Sequence, residues 1–313
     1  MDLKQLRYFT KIAELGNMTR ASESLRIAQP ALSQQISNLE SELGTRLFDR
    51  GVYGARLTSS GELLYGHAKS LLRQVQDVRE AISEEVQHPT GRVAIGIPGS
   101  TAKLLAEPLL RTVLQEGTIL LEIVERPSAE LIDLVATGKL DLAVVVDAQK
   151  RKGARISPLF TEQMCAVLPM EMKKGKASVK LKDIAESPLI LPSAPSTIRQ
   201  RVEAALLDKH LKYRVVSEVS STDLLIRLVS AGLGWTVLPW SAVMEDAKRF
   251  QKVQALPIAG HPLEREIALC ASDTYPLSRA AEVIQGYVTT ILTQLVDEGG
   301  WRGTQLIKPG VAD

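Results

Sequence analysis

Apolar positions in the first 90 residues recur at helical spacing and are broken at short intervals by turn residues. Leu3, Leu6, Phe9, Ile12 and Ala13 form a stripe that stops at Gly16, a residue suited to the left-handed position after a helix. Asn17 or Thr19 can cap a second short helix that runs to Leu25. Arg26-Ile27-Ala28 then makes a tight turn, and a third helix starts with Pro30, whose missing N–H has no partner to lose in a first turn. Leu32, Ile36, Leu39 and Leu43 line that helix up to Gly44. Three short helices with a three-residue turn between the last two predict a helix-turn-helix.

Leu47-Phe48-Asp49-Arg50, a tip from Gly51 to Gly54, and Arg56-Leu57 read as two short strands forming a wing. Ser59 and Glu62 have capping-box spacing and open a long helix. Its apolar residues, Leu64, Ala68, Leu71, Val75, Val78 and Ile82, alternate by four and three, the seam of a coiled-coil dimer. An amphipathic helix packed on its own domain is the other reading of that stripe. His88-Pro89-Thr90-Gly91 ends the helix and marks a hinge.

From Arg92 short apolar runs alternate with helical stretches. Val93–Ile97, Leu120–Val124, Leu142–Val146, Met164–Leu168, Leu189–Leu191 and Trp235–Leu238 read as strands, with helices such as Ala102–Gln115 and Ser128–Thr137 between them. This is an α/β pattern with mostly parallel strands. Pro, Gly and Ser clusters near Pro158–Glu162 and Ala259–Pro262 suggest a crossing to a second lobe and a return.

Composition narrows the class. The chain has 313 residues, 45% hydrophobic and 24% charged, with 38 basic against 36 acidic side chains, which excludes a disordered chain. A membrane span needs about 18 consecutive apolar residues, and the best uncharged run, Leu228–Met244, is interrupted by Gly232, Gly234 and Pro239. Asp2, Lys4 and Arg7 stand where an export signal needs apolar residues, and Cys165 and Cys270 have no metal spacing; both suit a reducing cytoplasm. Residues 1–60 carry eight basic and six acidic side chains, a weak electrostatic footprint for a monomeric nucleic-acid binder.

Ala28-Gln29-Pro30-Ala31-Leu32-Ser33, Leu39-Glu40, Leu43-Gly44, Leu47-Phe48, Arg50, Leu57-Thr58 and Gly61 stand in the order and spacing of the LysR-type transcriptional regulators, which this chain resembles from about Met1 to Ile291. Gly138-Lys139-Leu140-Asp141-Leu142-Ala143 and Ala231-Gly232-Leu233-Gly234 with Pro239 look like two marks of the family's effector domain. Ala28–Gln35, Leu191-Pro192-Ser193 and Ile198-Arg199 look closest to the nitrogen assimilation control and tricarballylate types. One departure is the wing tip, Gly51-Val52-Tyr53-Gly54-Ala55, which lacks the extra basic residue usual in relatives and leaves Tyr53 to touch the DNA backbone or pack.

The resemblance implies a winged helix-turn-helix over 1–58, a dimerisation helix over 59–87, a hinge at 88–91 and a two-lobed, periplasmic-binding-protein-like α/β effector domain over 92–300. Lobe I is expected at about 92–162 and 265–300, lobe II at about 163–264, and a tail at 301–313. It also implies promoter DNA as partner, a homo-oligomer that is a dimer of dimers, a small-molecule effector and recruitment of RNA polymerase, with no cofactor or metal. Some members work without a ligand, which is the alternative reading.

In the third helix, Ala28, Gln29 and Pro30 open the first turn, and Gln29, Ser33, Gln34 and Ser37 occupy the face left by the apolar stripe. Gln bonds an adenine edge bidentately and Ser serves base or phosphate; Arg50 and Arg56 of the wing complete the expected DNA-binding set. In a two-lobed α/β body the ligand sits at strand ends between lobes, where helix N-termini favour an anion. Ser100, Thr101, Ser128, Ser196, Thr197 and Thr222 stand at such starts, and Arg199 offers a fork to a carboxylate, so a small organic carboxylate is expected. Ser and Thr are also ordinary helix caps.

Two rivals remain. Ser100-Thr101-Ala102-Lys103 has the S-x-x-K spacing of serine hydrolases but lacks the companion S-D-N and K-T-G elements. A solute-binding protein would suit the Arg92–Val296 region, but a helix-turn-helix precedes it.

Overall fold

The computed structural model describes all residues except 52–53, 83–88, 173–176, 245–251, 261 and 308–313. Its head contains α1 (Leu3–Leu15), α2 (Met18–Leu25), α3 (Gln29–Leu43) and the antiparallel wing strands β1 (Phe48–Gly51) and β2 (Gly54–Leu57). Asn17 caps α2 by accepting from the Arg20 N–H, and Arg26 and Gly44 close α2 and α3 with φ of 55° and 66°. A left-handed Arg26 is uncommon for a residue with a Cβ, and it turns the chain within two residues into α3. That helix starts one residue earlier than expected, with Pro30 in second place. Phe9, Ile12, Leu32, Ile36, Leu39 and Phe48 fill the core, with the Phe9 and Phe48 rings 5.2 Å apart.

The linker helix α4 spans Ser59–Ile82. Its cap is Thr58 rather than Ser59: the Thr58 Oγ1 accepts from the Gly61 N–H at 3.0 Å and donates to the Arg46 carbonyl at 2.7 Å. The expected dimer seam is also divided. Ala68 is fully buried and Leu64 is packed against the head's own core, so this end of the stripe holds the head together. Leu71 is 41% exposed and Val75 half-buried, while the side chains of Val78 and Ile82 lie outside the described residues.

The body contains β3 (Gly91–Ile97), α5 (Gly99–Glu116), β4 (Ile119–Glu125), α6 (Ser128–Ala136), β5 (Leu142–Val146) and the 16-residue β6 (Ala154–Pro169). Then come β7 (Val179–Lys180), α7 (Leu181–Ala185), β8 (Pro188–Pro192), α8 (Thr197–Asp208), β9 (Arg214–Val219), α9 (Thr222–Ser230) and β10 (Thr236–Pro239). The chain returns through β11 (Val253–Ala259), β12 (Glu264–Ser272), α10 (Arg279–Asp297) and β13 (Thr304–Leu306). The main sheet runs β4-β3-β5-β12-β6-β11-β7, and β8 pairs with β9 apart from it.

The pairing is more mixed than the expected mostly parallel sheet. β3 is parallel to β4 and β5, and β8 to β9, but β12 is antiparallel to β5 and β6, as β10 and β11 are to β6. The cause is the double crossing. β6 leaves lobe I and β12 returns to it side by side, in register at Gln163 and Glu264. Side chains alternate across lobe I, with Val93, Ile95 and Ile97 facing α5 and α10 and Ala94 facing α6.

A further correction concerns the segment expected to be a tail. Trp301 is fully buried with its ring edge-on to Phe160 at 5.0 Å, and β13 pairs with Phe160–Glu162 of β6. The large apolar ring and a free edge of β6 draw this segment into the sheet, so the body extends through Leu306. Among the described residues no helix is long and apolar enough to cross a membrane. Cys165 and Cys270 are buried and unpaired, and burial pushes the Cys270 thiol up to about 11.

Candidate DNA-reading face and effector cleft

On α3 the apolar and polar faces separate cleanly. Leu32, Ile36 and Leu39 are fully buried, Ala28, Gln29, Pro30, Gln34 and Ser37 are exposed, and Ser33 is half-buried. Gln34 is committed in part, its Nε2 donating to Asn38 Oδ1 at 2.9 Å. Ala28 makes no side-chain cap bond and Pro30 has no N–H, so the first turn presents backbone donors to solvent. Glu40 fixes the helix against the wing by accepting from the Leu47 and Phe48 N–H groups at 2.8 and 3.2 Å. Arg56 is exposed on β2; the side chain of Arg50, and Tyr53 altogether, lie outside the described residues.

In the body the elements that follow the parallel strands start at one edge of each lobe. α5, α6 and the turn at Asp147 follow β3, β4 and β5 in lobe I; α8 and α9 follow β8 and β9 in lobe II. The expected cleft residues have different fates there. Ser100 is buried and its Oγ accepts from Arg265 Nη1 at 3.0 Å. Thr101 is fully buried and its hydroxyl has no partner among the described residues. Ser128 Oγ accepts from the Val146 N–H at 2.9 Å, joining the start of α6 to the end of β5. Ser196 is the cap of α8, Thr197 is exposed beside it, and Thr222 is half-buried one residue beyond the cap Ser221.

Arg199 is a correction. Its Nε meets Glu203 at 3.0 Å and its Nη1 meets Glu218 at 2.8 Å, so two carboxylates of the chain occupy the fork expected for a ligand. The guanidinium that reaches across the cleft is Arg201. Its Nε donates to Asp147 Oδ2 at 2.8 Å and its Nη2 to Oδ1 at 2.5 Å, and Asp147 Oδ1 also accepts from the Glu266 N–H at 3.0 Å. A second pair runs the opposite way, from Lys103 of lobe I to Asp223 of lobe II at 2.6 Å. The S-x-x-K pair is thereby split: the Ser100 hydroxyl serves Arg265 and the Lys103 ammonium serves Asp223 and the Ala242 carbonyl.

Where the strands cross, Glu162 and Arg265 are buried together. Arg265 Nε donates to Glu162 Oε2 at 2.8 Å and Nη2 to Ser241 Oγ at 3.1 Å, while Glu162 Oε1 accepts from the Ser241 N–H at 2.7 Å. Each charged atom thus has a partner, as burial of charge requires. Sequence reading missed Asp147, Arg201, Glu162 and Arg265. Asp147 left a signal, a carboxylate directly after a fully buried strand; the pairing of Glu162 with Arg265, 103 residues apart, left none. Among the described residues no three His, Cys, Asp or Glu side chains are grouped to hold a metal ion.

Residues 3–62 match the family described as "Bacterial regulatory helix-turn-helix protein, lysR family", and residues 87–290 match "LysR substrate binding domain". The nitrogen assimilation regulatory protein nac of Klebsiella aerogenes is 37% identical over 244 residues, covering 77% of this chain and 79% of that protein. The regulator BbuR of Bordetella bronchiseptica is 28% identical over 313 residues, covering 99% of this chain and 96% of its own. A full-length OxyR variant of Pseudomonas aeruginosa superimposes with a TM-score of 0.78 at 25% identity, covering 99% of both chains. Full-length CbnR, solved with its target DNA, shares the fold with a TM-score of 0.64 at 20% identity, covering 94% of this chain and 99% of its own. The chain belongs to the LysR family of DNA-binding transcriptional regulators.

Proposed function

We propose that α3 reads promoter DNA in the major groove through Gln29, Ser33, Gln34 and Ser37, with the first turn at Ala28–Pro30 and the wing's Arg50 and Arg56 on the phosphates. The observation that carries this reading is the division of α3 into a face on which Leu32, Ile36 and Leu39 are fully buried and an exposed polar one with no side-chain cap at its N-terminus. The near-neutral head makes one copy a weak binder, so the active species is an oligomer, a dimer of dimers. Its linker contact uses the stretch from Leu71 and Val75 toward Val78 and Ile82, since Leu64 and Ala68 serve the head. Exposed leucines on both lobes, Leu114 and Leu120 at 68% and 64% and Leu207 at 61%, give the body apolar surface for self-association.

The effector we infer is a small organic carboxylate held between the lobes near Thr101, Ser128, Ser196 and Thr222, and its occupancy alters recruitment of RNA polymerase. Thr101's partnerless buried hydroxyl supports a polar ligand; a ligand carboxylate would compete with Asp147 for Arg201. The second reading, regulation without an effector, has its own support: the Arg201–Asp147 and Lys103–Asp223 pairs join the lobes through the chain's own charges. Neither reading gives the protein a catalytic role.

The full chain, incubated with a pool of random duplexes, is expected to select a palindromic site. Gln29→Ala then weakens that site by about 1–3 kcal/mol and relaxes preference at one base pair per half-site. Equal loss on every sequence would overturn the base-reading role. Titration of the complex with small mono- and dicarboxylates separates the two effector readings.

A further inference from the structure

Gly66 lies in the middle of α4, where a glycine weakens a helix relative to alanine. The geometry around it gives a reason. A Cβ at Gly66 would stand 2.4 Å from the Thr137 carbonyl oxygen and 2.5 Å from the Tyr275 hydroxyl, both in lobe I. Opposite it is Gly138, which follows α6 with φ of 69° and whose own Cβ would come within 3.0 Å of the Gly66 Cα. Two backbones therefore touch where neither can carry a side chain. Around this point Lys139 pairs with Glu62 at 2.5 Å, Lys69 Nζ reaches the Lys139 carbonyl at 3.4 Å, and the His67 and Tyr275 rings meet edge-on at 5.1 Å.

The element on the lobe I side of this contact is α6. Its far end is Ser128, whose Oγ holds the Val146 N–H at the strand edge beside Asp147. Nine helical residues at 1.5 Å each make α6 a rod about 13 Å long between the cleft and the linker helix. Its side chains Leu131, Ile132 and Val135 are packed into lobe I, so displacing one end of the rod displaces the other.

We propose that Gly66 and Gly138 form a docking contact that clamps the linker helix to its own effector body, and that α6 carries the state of the cleft through this contact to the DNA-reading head. A cleft that shifts Ser128 shifts Thr137, and the linker helix, held at Gly66, follows.

The test uses the full chain with Gly66→Ala. In a helix without a partner this change is favourable; at a clamp it forces the backbones apart. Hydrogen exchange at the Val146 amide, at the opposite end of α6, is expected to rise at least about fivefold, and affinity for a duplex selected by the wild-type chain to change by at least about fivefold. Glu62→Lys is expected to act in the same direction, and Lys139→Glu added to it to restore both readouts; this pair decides alone if Gly66→Ala does not fold. Unchanged exchange, or faster exchange confined to residues 137–140, overturns the proposal. If the wild-type chain selects no duplex, the exchange arm still decides the clamp, while the DNA-reading proposal fails separately.

Discussion

In the head the buried polar side chains bond to their own helices: Thr10 Oγ1 donates to the Leu6 carbonyl at 3.0 Å and Ser22 Oγ to the Thr19 carbonyl at 2.8 Å. In the body Glu162 and Arg265 are buried as a pair of full charges drawn from strands 103 residues apart, with Ser100 and Ser241 completing the set from two further segments. These two buried hydroxyls are thus satisfied within single turns, while Glu40 and Thr58 bond to nearby backbone at Leu47, Phe48, Gly61 and Arg46, so the head's stability is a matter of apolar packing, caps and short-range bonds. The body places a desolvated ion pair at the point where its lobes join. Apolar packing there would be at least as stable, so the pair's use is better sought in fixing how β6 and β12 cross.

The largest effect should come from breaking that pair. Arg265→Ala leaves a fully buried carboxylate without its partner and is expected to destabilise the body by about 3–5 kcal/mol. All three tryptophans, Trp235, Trp240 and Trp301, lie in the body, so urea denaturation followed by tryptophan fluorescence reports this region alone. Glu162→Leu with Arg265→Met should recover most of the loss. A double variant as unstable as the single one would show that shape rather than charge pairing governs the crossing, and would erase the contrast with the head.

A smaller effect separates the two pairs that span the cleft. The Asp147 side chain is only 10% exposed and accepts three hydrogen bonds, whereas Asp223 is 69% exposed and pairs with Lys103 at the rim. Asp147→Asn is expected to cost about 1–2 kcal/mol, a fall of several degrees in the thermal midpoint of the body. Asp223→Asn should stay within about 0.5 kcal/mol. Equal effects would mean that burial at Asp147 contributes nothing to holding the lobes.

The same contrast explains what is legible in the sequence. The head's helices and wing follow from nearest-neighbour signals: the stripe Leu32, Ile36, Leu39, the cap Asn17, the stops at Gly16 and Gly44. Six strands of the body are readable as apolar runs, and the ends of the parallel ones, β3, β4 and β5, lead to Ser100, Ser128 and Asp147. Arg199 reads as the ligand's partner because Glu218, which occupies it, arrives from β9 by a route no local pattern encodes. Trp301 reads as part of a tail for a related reason: the core it enters beside Phe160 is built by strands and helices far from it in the chain. Ala68 fits a dimer seam and a head core equally well, because a helical stripe says which face is apolar and not what covers it.

The smallest effect tests the head's dependence on local capping at a place where sequence reading and structure differ by one residue. Ser59 has the spacing of a capping box with Glu62, yet the Glu62 N–H donates to the Thr58 carbonyl at 2.8 Å, which makes Thr58 the residue whose carbonyl begins the helix. The Thr58 hydroxyl then does two things at once, accepting from Gly61 and donating to Arg46, and the Thr58 N–H donates to the Leu47 carbonyl at 3.0 Å. Gly61 has to be bare, since a Cβ there would lie 2.1 Å from that same Leu47 oxygen. Thr58→Ala is therefore expected to destabilise the head by about 1 kcal/mol, read as a lower midpoint in far-ultraviolet circular dichroism with tryptophan fluorescence unchanged. Ser59→Ala, at an exposed position whose hydroxyl caps nothing among the described residues, should leave the midpoint where it is. The reverse order would make Ser59 the cap that holds the first turn of α4 and leave the Thr58 bonds to Gly61 and Arg46 without measurable weight.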